Sequence, residues 1–166
     1  MMAGGFFGLH DSRDLLNKLG RDYDKLVVAP NVDTLFNFFV TGWSIRDWIL
    51  RERPELRDSV NELYNGDLLY CQEIGNKAKH FELTQHRNKD RPDPDTVIWS
   101  LGALNEAPLN AHAVNEGELV WSLHYGDSIA VPDVLVYARH VIDTLVRFFS
   151  RHHISPRPRQ GDREAS

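Results

Sequence analysis

The stretch from Thr34 to about Arg53 is apolar on more than one side, and this constrains the fold more than any other feature of the chain. At helical spacing, Phe36, Phe39, Val40, Trp43 and Leu50 make one stripe, while Leu35, Phe38, Ile45, Trp48 and Ile49 cover much of the remainder. A helix of that kind is stable in water only when neighbours pack around it. The spacing therefore predicts a central helix, capped by Asn31 or Asp33, that forms the core. Its most apolar run, Thr34 to Ile45, is too short for a bilayer, which takes roughly 20 residues.

Neighbours for that helix are legible on both sides. Asp11 or Ser12 can cap a helix running to about Ala29, with Leu15, Leu16, Leu19, Tyr23, Leu26 and Val27 on its apolar side. Pro54 opens a short helix or turn to about Tyr64, with Leu56, Val60 and Leu63 inward. Asn65-Gly66-Asp67 then supplies a turn and an N-cap for a helix over Asp67 to Thr84. Pro132 suits the first position of a last helix, with Asp133 in its first turn. Leu135, Ala138, Ile142, Leu145, Val146 and Phe149 form its apolar stripe.

Between the last two helices the period changes. Gln85 to Asp95 reads as an exposed polar loop, and Thr96–Leu101 and Glu118–Tyr125 as strands. Gly126-Asp127 turns the chain into Ser128–Val131, and Asn105 to Gly117 is a longer connection. The expected fold is mainly α: an antiparallel bundle of about four long helices with a small antiparallel β-hairpin or three-stranded sheet inserted before the last helix. A single domain over residues 1–154, with the insertion at about 96–131 and a disordered tail over 155–166, is expected from the length and from the tail's lack of apolar anchors.

Composition narrows the function classes. Nineteen basic against 24 acidic side chains give a formal charge of −5, so no global cationic field is available to hold nucleic acid. The basic C-terminal end (Arg147, Arg151, Arg157, Arg159, Arg163) reads as a solvated tail. One cysteine, Cys71, rules out an intramolecular disulfide and suits a reducing compartment. The first residues lack the pattern of a signal peptide, so a cytoplasmic protein without membrane attachment is expected. The remaining histidines show no standard zinc spacing, the glycines match no phosphate-binding fingerprint, and Ser44 and Ser100 lack a nucleophile-elbow context. No cofactor and no metal are implied.

The helix after Asp67 carries the candidate site. Glu73, Asn76 and His80 fall three and four apart and share a face, while Leu68, Cys71, Ile74, Ala78 and Phe81 fall on another. Gly75 sits mid-helix, where it costs roughly 1 kcal/mol against alanine, and close approach of another backbone would explain it. Asp47 interrupts an apolar stripe of the central helix. If buried, it needs a partner such as His80, Lys79 or an arginine; otherwise it points outward and pairs with Arg51. For His80 there is also a plain reading, a helix-face histidine satisfied by Asp47, Glu73 or water.

Gly75-Asn76-Lys77-Ala78-Lys79-His80 resembles the HEPN superfamily of helical-bundle proteins, whose ribonuclease members carry arginine, a polar residue, three more residues and histidine. Asn76 and His80 match, and Gly75 stands where the arginine should be. The segment KHFEL (79–83) also resembles a group of uncharacterised bacterial proteins with a helical front half and a hairpin. The HEPN resemblance implies metal-independent RNA cleavage at a homodimer interface, in a toxin–antitoxin or phage-defence setting, by an active or degenerate site. His80, Asn76, Glu73 and Asp47 would be catalytic, with Lys77 and Lys79 on the RNA. Histidine titrates near neutral pH and suits acid–base work, but a lysine is a point charge and no equivalent of the missing arginine.

Two further readings compete. In one, the chain is a non-catalytic module that binds a protein partner, and Gly75 simply permits close packing. In the other, a small-molecule enzyme uses Asp47 and His80 in a bundle cavity, which requires a pocket lined by both. A polar helix face buried within a single chain would weigh against the RNA reading.

Overall fold

The computed structural model describes residues 8–80, 94–101, 118–125 and 127–156. The expectations for Phe81, the polar loop up to residue 93, the connection before Glu118, Gly126 and the tail beyond Pro156 lie outside the described residues.

Helix α1 (Ser12–Val28) starts where the Asp11 carboxylate accepts the Asp14 N–H at 2.8 Å. Helix α2 (Val32–Glu52) starts with a capping box, in which Asn31 accepts from the Thr34 N–H and Thr34 Oγ1 accepts from the Asn31 N–H. The two helices form an antiparallel hairpin tied at both ends. At the open end, the Glu52 carboxylate accepts from Ser12 N–H at 2.8 Å and from Ser12 Oγ at 2.7 Å. At the corner, Thr34 Oγ1 and the Asn31 side-chain amide both donate to the carbonyl of Ala29, the C-cap of α1.

The expectation of a central α2 holds. Leu35, Phe38, Phe39, Ile45 and Ile49 are buried, and α2 packs against α1, α3, α4 and α5. A 3-10 turn, Pro54–Leu56, and helix α3 (Arg57–Asn65) bring Val60 and Tyr64 into the core. There the Tyr64 hydroxyl donates to the Gly42 carbonyl at 2.7 Å. Helix α4 (Leu69–His80) follows a turn over residues 66–68, and helix α5 (Val134–Arg151) is the last element among the described residues.

Helix α5 differs from its expected face. Val134, Val141, Thr144 and Phe148 are buried with Ala138, Leu145 and Phe149, whereas Val146 is exposed and Leu135 and Ile142 are only partly buried. Pro132 lies just before the helix, and Asp133 is its N-cap, accepting from Leu135 N–H at 2.9 Å and Val136 N–H at 3.1 Å. One carboxylate outside the helix satisfies two first-turn amides, which makes the later start the more favourable one.

Strands β1 (Pro94–Leu101), β2 (Glu118–Tyr125) and β3 (Ser128–Val131) form an antiparallel sheet in the order β1-β2-β3. Pro94 pairs with Tyr125 and Leu101 with Glu118, and the β2–β3 register slips at Leu123/His124. The first strand starts two residues earlier than the sequence predicts. A proline is tolerated at the first residue of an edge strand because its missing N–H breaks no ladder bond. Trp121, Leu123 and Val131 join the hydrophobic core, with β2 against α5 and β1 against α4. On β2 the Ser122 hydroxyl and the His124 ring lie 2.7 Å apart.

Candidate functional site

Helix α4 is positioned by two close approaches and one borrowed cap. Gly75 is the first approach. A Cβ there would stand 2.6 Å from Trp43 Cβ and 2.7 Å from the Phe39 carbonyl oxygen. Gly42 of α2 is the second, where a Cβ would lie 2.9 Å from Cys71 Sγ. The two helices thus cross with backbone near backbone, and each contributes the glycine that allows it. The reason inferred for Gly75 from sequence is therefore present in the fold.

The cap comes from α5. The Tyr137 hydroxyl accepts from the Cys71 N–H, one of the first-turn amides of α4, at 3.1 Å and donates to the Asp67 carbonyl at 3.3 Å. The ring stacks on Phe39 with centroids 6.3 Å apart and meets Tyr70 edge-on at 6.0 Å. Burial pushes the Tyr137 phenol well above its ordinary range, so the hydroxyl keeps its proton to donate. Tyr137→Phe removes both bonds at constant shape. A loss of about 1–2 kcal/mol is expected in urea unfolding, from the net worth of the bonds and the orphaned amide. No change would mean that the cap is dispensable.

The residues of the candidate site separate into three groups. Glu73 and Asn76 are buried, at 2% and 7% exposure, alongside Leu68 and Cys71. Lys77 is half-buried. Lys79 and His80 complete the last described turn of α4, but their side chains lie outside the described residues. Asp47 is elsewhere. Its side chain is 65% exposed and pairs with Arg46 at 3.1 Å, not with Arg51. Arg46 in turn donates to Asn61 Oδ1 at 2.9 Å and lies over Trp43. Ile45 and Ile49 take the inward positions around Asp47, so the carboxylate faces solvent beside α3 and not the buried α4 face.

Burial pushes the Cys71 thiol far above its ordinary range, leaving it protonated and unreactive. A shallow cleft of about 360 Å³ lies between α3 and the end of α5, lined by Glu62, Leu63, Asp67, Phe148, Arg151 and His152 among others. Asp47, Glu73 and Asn76 do not line it, so this cleft is not the cavity the small-molecule reading requires.

One buried polar cluster escaped the sequence reading. Lys18 Nζ donates to Asp22 and to Thr41 Oγ1, and Thr41 Oγ1 donates to Asp22 at 2.8 Å, closing a ring of bonds between α1 and α2. The Lys18–Asp22 spacing of one helical turn was a visible signal. Its coupling to Thr41 depends on how the hairpin folds.

No protein-family model, no curated protein and no solved structure matches the chain. Among the described residues, no helix is long and apolar enough to cross a membrane, and no group of three or more His, Cys, Asp or Glu side chains could hold a metal ion.

Proposed function

We propose that the chain is a non-catalytic protein-interaction module. One observation carries this reading. Glu73 and Asn76, on the polar face of α4, are buried, and Gly75, on the face turned to α2, is pinned against Phe39 and Trp43. A face spent on intramolecular packing does not present an open bed for a polynucleotide. The formal charge of −5 points the same way, since the chain as a whole supplies no cationic field to hold a polynucleotide. Gly75, at the position where the HEPN motif has an arginine, holds two helices together and offers nothing to a phosphate.

The test is cleavage of tRNA and total RNA by the purified protein and by His80→Ala, in EDTA. Neither protein is expected to cut. Cleavage by the wild type that disappears in a folded His80→Ala variant would overturn the proposal and establish a metal-independent ribonuclease that works without the motif arginine.

A further inference from the structure

We draw no further inference here: the strongest candidate, the shallow cleft between α3 and the end of α5, is lined by solvated charges of both signs, Glu62 and Asp67 with Arg151 and His152, and nothing in the structure shows what would bind between them.

Discussion

Gly75→Ala is expected to destabilise the protein by about 2–3 kcal/mol, although alanine is the better helix former. Helix propensity alone would favour the substitution by roughly 1 kcal/mol. Against that stands a methyl group 2.6 Å from Trp43 Cβ and 2.7 Å from the Phe39 carbonyl oxygen. These are main-chain or Cβ atoms of a packed helix and cannot rotate away, so α4 must be pushed off α2. Overpacking of this kind typically costs about 1–3 kcal/mol and occasionally more. For a chain of this size a midpoint drop of roughly 5–10 °C follows. Gly20 in α1 is the control, because nothing lies within 4 Å of a Cβ built there. Gly20→Ala should be neutral or stabilising by up to about 1 kcal/mol. Thermal and urea unfolding of both variants separate the cases, and equal behaviour of the two glycines would show that the α2–α4 approach is looser than described.

The second large effect is expected at the Lys18–Asp22–Thr41 ring. Asp22 is buried, and Lys18 is about one-third exposed. Lys18→Met leaves the carboxylate in the hairpin seam with the Thr41 hydroxyl as its remaining donor in the ring, at an expected cost of about 2–3 kcal/mol. Asp22→Leu costs less, about 1–2 kcal/mol, since the lysine can swing its charge to water while Thr41 bonds back to its own helix. The double variant should recover most of the larger loss, because an apolar pair of similar volume replaces an ion pair with little net penalty. Urea unfolding of the two singles and the double measures the coupling. Simple addition of the single losses would show that the ring does not act as a unit.

The site was less legible than the fold, and particular residues show why. Glu73 and Asn76 share a helix face by spacing alone, which was readable; that both are buried was decided by how the rest of the chain packs around α4. Asp47 interrupted an apolar stripe and could be read as a buried acid or as an outward one paired with Arg51, because a stripe on an all-round apolar helix has no fixed inward direction. Ile45 and Ile49 took the core positions, and Arg46 met the carboxylate outside. On α5, Val134, Val141 and Phe148 compete with Leu135, Ile142 and Val146, one or two residues away. Both sets are apolar, so the sheet and α1 chose between them. Tyr137 carried no sequence signal for capping a helix that begins nearly seventy residues earlier.

What this sequence determines by itself is local: five helices in order, three strands after a change of period, caps at Asp11 or Ser12 and at Asn31 or Asp33, and a mid-helix glycine that close approach of another backbone would explain. Those features rest on periodicities of 3.6 and 2 and on hydrogen bonds spanning a few residues, which neighbours in sequence decide. Which face of α5 turns inward, where Asp47 points and which side chain caps α4 were decided only by tertiary structure. Each of those depends on contacts between residues far apart in the chain, whose partners exist only once the helices have packed.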